Sequence, residues 1–286
     1  GFSALFKDFY AKIVPQYNQI AMETTSTGPK EKYNWLRTHP KMVEWLGERQ
    51  LKMLAAEDYE ITNKTWVATI EVLREEFEDD KLGLVTPRVQ ELALEGGRHM
   101  DELVFSLLEN GFTGLCYDGQ YFFDNDHVEG SSGVQTNTSA LALTAANYGT
   151  LRANMMGIKD SEGKPMGILP DTLVVPPALE STARLILNAD FVPSAAGTAT
   201  QSNIWKSSAK LIISPYITTA TKWFILDCSR IVRPLIAQMR RLPEFNALTD
   251  PKGDYAFRFN KYLFGSDYRG NAGYGLWQLA YGSTGA

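Results

Sequence analysis

Residues 86 to 111, TPRVQELALEGGRHMDELVFSLLENG, decide how the chain is organised. Thr86 ahead of Pro87 supplies an N-cap with proline at the first helical position, and Gly111 follows Asn110 where a helix would stop. Between these signals Val89, Leu92, Gly96, His99 or Met100, Leu103, Leu107 and Leu108 recur every three or four residues, the period of one helix face. The spacing predicts a single helix of roughly 36 Å at 1.5 Å per residue. Gly96 and Gly97 each weaken its middle by about 1 kcal/mol relative to Ala, so close packing or a bend is expected there.

Working back toward the N-terminus, the run Glu75-Glu76-Phe77-Glu78-Asp79-Asp80 reads as a solvated acidic connection. Before it, Leu51 and Met53 lead into a polar bend, Ala55-Ala56-Glu57-Asp58, and residues 61 to 72 follow as a β-branched-rich run that includes Trp66 and Ile70. Glu48 to Arg74 therefore predicts a long β-hairpin whose second strand extends roughly 40 Å. A lone two-stranded ribbon of that length is marginal in water, so it must fold over its own body or reach another subunit. Phe2, Leu5, Phe6, Phe9 and Ile13 fall at helical spacing, with Lys7, Asp8 and Lys12 elsewhere, and predict a short amphipathic helix whose apolar face needs a partner. Glu23 to Lys30 is polar and broken by Gly28 and Pro29, which predicts a mobile linker and makes residues 1 to 29 an arm.

Beyond Gly111 the chain alternates. A helix is expected at Ala140 to Met156, a strand at Thr172 to Val175, a helix opened by Pro176-Pro177 and running to Leu187, then strands at Lys210 to Ser214 and Lys222 to Asp227. Ile231 to Met239, Tyr255 to Phe264 and Gly273 to Tyr281 read as further strands, separated by turns at Asp250 to Gly253 and Gly265 to Asn271. Mixed order of this kind predicts an α+β fold.

Composition narrows the function. The 286 residues are 44% hydrophobic and 21% charged, ordinary globular values that allow a sizeable core. A formal net charge of -5 provides no basic footprint for phosphates, which argues against a dedicated DNA-binding role. No apolar run reaches membrane-spanning length and the first residues lack signal-peptide order, so a soluble intracellular protein is expected. Cys116 and Cys228 are far apart with no CxxC spacing, which predicts reduced thiols.

The sharpest polar cluster is Phe122-Phe123-Asp124-Asn125-Asp126-His127. Two carboxylates and an imidazole suggest a metal or an acid/base pair, but the pattern lacks the glycine and distant glutamate of a calcium loop. With only His39, His99 and His127 in the chain, no multi-histidine zinc site assembles from local motifs. A capped turn, with the Asp side chains bonding nearby amides, is the plainer expectation. Gly270-Asn271-Ala272-Gly273-Tyr274-Gly275 lacks the Lys and Ser/Thr of a phosphate loop and reads as a tight turn, while Arg233, Arg240 and Arg241 are too sparse for a phosphate site. No catalytic residue, metal ligand or cofactor site is predicted.

Motifs along the whole chain resemble the Mu-like bacteriophage major head subunit family. They are Tyr33-Asn34-Trp35-Leu36, Glu44 to Arg49, Thr62-Asn63-Lys64-Thr65-Trp66, Phe77 to Asp80, Asp101 to Phe105, Cys116 to Gln120, Phe122 to His127, Trp223 to Asp227 and Gly273 to Ala280. The resemblance implies the Hong Kong 97-type phage capsid fold. In it, residues 1–29 would be the N-terminal arm, 30–78 the extended loop, 79–112 with 231–275 the peripheral domain around a spine helix, and 113–230 with 276–286 the axial domain. It implies a non-enzymatic subunit that joins copies of itself, as hexamers and pentamers, into an icosahedral head around double-stranded DNA; some relatives of this fold crosslink neighbours through a Lys and an Asn, but no motif here assigns such a pair, so noncovalent assembly is expected. Scaffold, portal and decoration proteins are the implied further partners, with no membrane, and the host bacterial cytoplasm is the implied place of assembly. Assembly contacts are expected from Phe2, Leu5, Phe6, Phe9 and Ile13 of the arm, and from Leu51, Met53, Trp66 and Ile70 of the loop. Two other readings stay open: an encapsulin-like compartment shell, and a metal-dependent hydrolase using Asp124, Asp126 and His127.

Overall fold

The computed structural model describes residues 2–33, 36, 59–79, 83, 85–193 and 200–286. Helix α1 (Phe2–Tyr10) leads through a single 3-10 turn to strands β1 (Ala21–Thr25) and β2 (Lys30–Lys32). Strands β3 (Glu60–Thr62) and β4 (Lys64–Leu73) precede α2 (Arg74–Glu78) and the long helix α3 (Val85–Asn110). Short strands β5 (His127–Val128), β6 (Val134–Gln135) and β7 (Thr138–Ser139) come next, followed by α4 (Ala145–Met156), β8 (Thr172–Val175) and α5 (Glu180–Asn188). Then come β9 (Phe191–Pro193), β10 (Thr200–Ser202), β11 (Lys210–Ile213) and β12 (Trp223–Leu226). The chain closes with β13 (Leu235–Leu248), α6 (Asp254–Phe259), β14 (Lys261–Tyr274) and β15 (Ala280–Ser283).

Two sheets organise this order. One has four strands, β1-β13-β14-β4; the other has five, β11-β8-β12-β15-β7. The spine helix α3 joins them. Val85, Val89, Leu92 and Ala93 on its first half enter a small core with Phe6, Val72, Tyr262 and Phe264, whereas Met100, Val104, Phe105 and Leu108 on its second half enter the main core. Gly96 and Gly97 sit where the two cores meet. A Cβ on Gly96 would lie 3.3 Å from the Pro243 side chain and one on Gly97 2.8 Å from Ile13, so close packing explains both glycines.

Several expectations are corrected. The strand over 61–72 is present, but β4 is no free-standing ribbon: from Lys64 to Leu73 it pairs antiparallel with Gly270 to Lys261 of β14. The sheet supplies the support such a strand needs. Leu51, Met53 and the rest of the expected first strand lie outside the described residues. Glu23 to Lys30 is not a mobile linker either. β1 pairs parallel with Leu235–Met239, and the next turn is held by Glu31, whose Oε1 accepts from Ser26 Oγ, Thr27 N and Gly28 N at 2.8, 2.7 and 3.0 Å.

Tyr255 to Phe259 is helical, not extended. The alternation of Tyr255, Phe257 and Phe259 imitates a strand, yet Arg258 bonds Asp254 one turn back and Asn260 ends the helix with a left-handed φ of 49°. The expected turns at 265–271 and 270–275 lie mostly inside β14. Its glycines admit close neighbours, since a Cβ on Gly270 would stand 2.6 Å from the Gln238 carbonyl and one on Gly273 2.4 Å from Ile61. The acidic run after β4 is partly the helix α2, fastened by Arg74 to Glu78 at 2.7 Å. No helix of the described residues is long and apolar enough to cross a membrane.

Candidate assembly surfaces

The arm was expected to expose an apolar face, and here the chain covers that face itself. Phe6 is buried, with its ring 5.5 Å from Phe245; Phe2 meets Phe264 edge-on at 5.7 Å and Phe77 at 6.0 Å. Leu5 and Phe9 pack partly buried beside them, and Ile13 fills the notch at Gly97. The cause is the small core under α1, which would otherwise leave Val89, Phe264 and Tyr262 in water. Asp101 on the spine fixes the arm's exit by accepting the backbone N–H groups of Gln16 and Tyr17 at 2.8 and 2.6 Å. Burial pushes its carboxyl above the ordinary value, against those two bonds. The sequence showed Asp101 only as part of a motif; a carboxylate on an apolar helix face was the available signal.

On β4 the strand alternation separates two rows. Trp66, Ala68, Ile70 and Val72 face the chain's own body, with Trp66 Nε1 donating to Gly270 O at 3.1 Å and its ring 4.5 Å from His99. Trp66 and Ile70, expected to meet another subunit, are half-buried against the chain's own body in the single subunit. The outward row carries Val67, 73% exposed, and Leu73. A buried polar hub ties this region to the sheet. Gln238 donates to Ile61 O and Asn63 Oδ1 at 3.0 and 2.8 Å and accepts from Tyr33 Oη at 2.7 Å, while Asn63 reaches Ser26 Oγ and Gly28 O.

A second apolar surface was missed by the sequence reading. A groove of about 700 Å³ runs between α4, α5 and the β9–β10 hairpin, lined by Leu143, Leu185, Ile186, Val192, Ile204 and Trp205. Ile204 stands exposed on its lining, and Phe191, next in the chain to Val192, is exposed as well. The signal was there in Phe191-Val192 and Ile204-Trp205, apolar pairs set in polar loops. Phe257 and Phe259 on α6 form another exposed apolar group.

The residues weighed for catalysis do not converge. Asp126 is exposed, Asp124 turns to the amides of Asn125 and Tyr121 at 2.8 and 3.2 Å, and His127 is buried against Asp118. Asp124 thus caps a turn. Cys116, Asp118 and His127 do lie together, but as a hydrogen-bonded set: the Cys116 thiol donates to Asp118 Oδ1 at 2.9 Å and His127 Nδ1 lies 2.6 Å from Asp118 Oδ2. The three side chains satisfy one another at spacings shorter than the about 3.3 Å between nitrogen and oxygen ligands of one tetrahedral zinc. Burial, with the neighbouring Asp118 carboxylate, pushes the Cys116 thiol up. The three arginines are each engaged inside the chain, Arg233 with Asn18 O, Arg240 with Ser26 O and Arg241 with Asp267.

A family model described as Mu-like prophage major head subunit gpT matches residues 1–142, 135–217 and 218–286. The chain belongs to the Mu-like prophage major head subunit family. This head subunit is 32% identical over 285 residues to the Mu-like prophage FluMu major head subunit of Haemophilus influenzae, covering 100% of the chain and 71% of that protein. It is 34% identical over 265 residues to the major capsid protein of Escherichia phage Mu, covering 93% of the chain and 65% of that protein, just under two thirds of its length. A chain of the bacteriophage JBD30 procapsid aligns with a TM-score of 0.61 at 32% identity, over 99% of this chain and 72% of that one. The virus-like particle of Pyrococcus furiosus, at 13% identity and a TM-score of 0.54 over 99% and 97% of the two chains, shares the fold. The head subunit is a structural capsid protein with the phage capsid fold, and not an enzyme.

Proposed function

We propose that this head subunit assembles with copies of itself, as hexamers and pentamers, into an icosahedral shell that encloses double-stranded DNA. The observation that carries the reading is the alignment of 99% of the chain with a subunit of a phage procapsid. Residues 1–29 act as the arm, 30–78 as the extended loop, 79–112 with 231–275 as the peripheral domain, and 113–230 with 276–286 as the axial domain. The separation of the two sheets, bridged by α3, supports that division. The loop segment carrying Leu51 and Met53 reaches a neighbour, while Trp66 and Ile70 brace its returning strand on the subunit's own sheet. Phe2, Leu5, Phe6, Phe9 and Ile13 brace the arm in the same way, and Val67, Leu73 and the groove beside Ile204 offer surface to other copies.

A formal charge of -5 suits a container, because a wall that bound phosphates tightly would resist packing and release of DNA. Scaffold, portal and decoration proteins complete the head, which forms in the host bacterial cytoplasm; the JBD30 capsid is decorated with minor capsid protein trimers. Expression with a scaffold protein and electron microscopy of the product tests the proposal. Closed shells support it. Nucleic acid inside native particles separates a phage head from a shell that stores a cargo protein.

A further inference from the structure

We infer that Arg269, with Arg241 and Thr65 beside it, receives a carboxylate side chain from a second copy of this chain, a site that rests on the shell reading because its guest comes from another subunit. Arg269 stands on β14 opposite Thr65 of β4 and opposite Arg241 of β13. Residues paired across strands share a face, so one hydroxyl and two guanidinium groups form a row across the sheet, with neighbouring strands about 4.8 Å apart. This is the face turned away from α3, which packs on the alternate residues Ser266 and Tyr268. The next row on the same face holds Val67, Asp267 and Glu244, and Val67 is 73% exposed, so the face is open.

Within the subunit Arg269 has no partner of its own. Its Nε is closed off from water and meets no acceptor, and among the described residues its side chain makes no hydrogen bond or ion pair. The carboxylate beside it is already taken: Asp267 Oδ2 pairs with Arg241, and Asp267 Oδ1 accepts from Asn246 Nδ2 at 2.6 Å. Two cations therefore stand directly opposite each other with one carboxylate between them, an arrangement that like-charge repulsion disfavours. A buried donor left without an acceptor adds its own cost. Both penalties are relieved when an anion enters the row.

The chemistry of the row selects a carboxylate. A guanidinium meets a carboxylate as a planar fork, Arg241 and the Thr65 hydroxyl flank it as further donors, and Val67 offers apolar contact for the stem of an Asp or Glu side chain. A nucleic acid backbone fits less well, because Asp267 and Glu244 in the next row repel a run of phosphates. Copies of the chain carry the guest in surplus, with 33 Asp and Glu against 28 Lys and Arg. Exposed Glu76, Asp79 and Asp126 pair with no base among the described residues, so carboxylates are free to reach another subunit.

Arg269→Met keeps an aliphatic stem and removes the charge, whereas Arg269→Lys keeps the charge. Unassembled Arg269→Met subunits should melt no lower than the parent chain, while their shells, formed with a scaffold protein and without DNA, should shed subunits about tenfold faster in dilute urea. Arg269→Lys shells should hold, and a carbodiimide should couple the introduced amine to an Asp or Glu of another subunit, read by mass spectrometry of shells mixed from 14N- and 15N-labelled protein. Lower melting of unassembled Arg269→Met subunits, unchanged shedding, or crosslinks confined to one subunit would overturn the inference. Weakening seen only in DNA-filled particles would assign the row to phosphate and overturn it as well. A parent chain that forms no shell would remove the assembly reading and this inference together, an outcome distinct from the rest because no substitution takes part in it.

Discussion

Truncation of Phe6 to alanine tests whether the arm belongs to its own subunit. The ring is buried to 1% exposure and touches Phe245 and Tyr10 above a core of Val89, Leu92 and Phe264. Removing a buried Phe side chain costs about 3 to 5 kcal/mol when the site cannot collapse. Helix α1 is terminal and only nine residues long, so undocking limits the loss, and about 3 kcal/mol is expected. At 1.4 kcal/mol per tenfold, this is roughly a hundredfold fall in protection. Amide hydrogen exchange on unassembled subunits reads it at Tyr10 and Ala11, whose environment depends on the docked turn ending at Lys7 O. Val14→Ala, at an 83% exposed position, is the control and should change protection by less than about twofold. Unaltered exchange in Phe6→Ala subunits, together with weakened particles, would refute the internal docking and return the arm to a neighbour.

Asn137→Ala strands the Phe122 and Ala280 carbonyls and the Asp124 amide inside the protein and should cost about 3 kcal/mol, seen as a lowered denaturation midpoint; a loss under 1 kcal/mol would contradict its bridging place. Glu109 pairs with Lys222 at 3.0 Å and bonds Thr219; burial raises its carboxyl, but these bonds prevail and its folded value is depressed. Its stabilisation is therefore present above about pH 4.3 and lost as pH falls through the folded value, so Glu109→Gln should flatten the acid limb of the stability profile, and an unchanged limb would count against the pair. Burial pushes the Cys228 thiol to about 12 and the Cys116 thiol higher still, so native protein at pH 8 should resist alkylation at both, and rapid labelling of either would contradict that burial.

The elements that the sequence made legible are those where local chemistry and packing agree. Thr86-Pro87 and Gly111 bracket α3 to within a residue or two, because capping and the apolar stripe point the same way. The strands at 172–175 and 223–226 are uniformly buried and rich in β-branched or aromatic residues, so their type is local as well. What stayed illegible depends on partners distant in sequence. The polar stretch Glu23–Thr25 becomes a strand because Leu235–Met239 lies beside it, and Gly265–Asn271 is a strand because β4 and β13 flank it. Trp66 and Ile70 were recognised as interface-like, but strand alternation alone cannot say which face meets the chain's own helix. Cys116, Asp118 and His127 close on one another beneath Trp277, and the nine-residue span from Asp118 to His127 carries no local signal of it.

The proposed shell requires that copies of this chain complete one another. Electron cryomicroscopy of the protein purified after co-expression with a scaffold tests it most directly. Closed icosahedral particles with five- and sixfold clusters, in which α3 bridges two sheets of each subunit, are expected. Protein that stays monomeric with the scaffold present would contradict it.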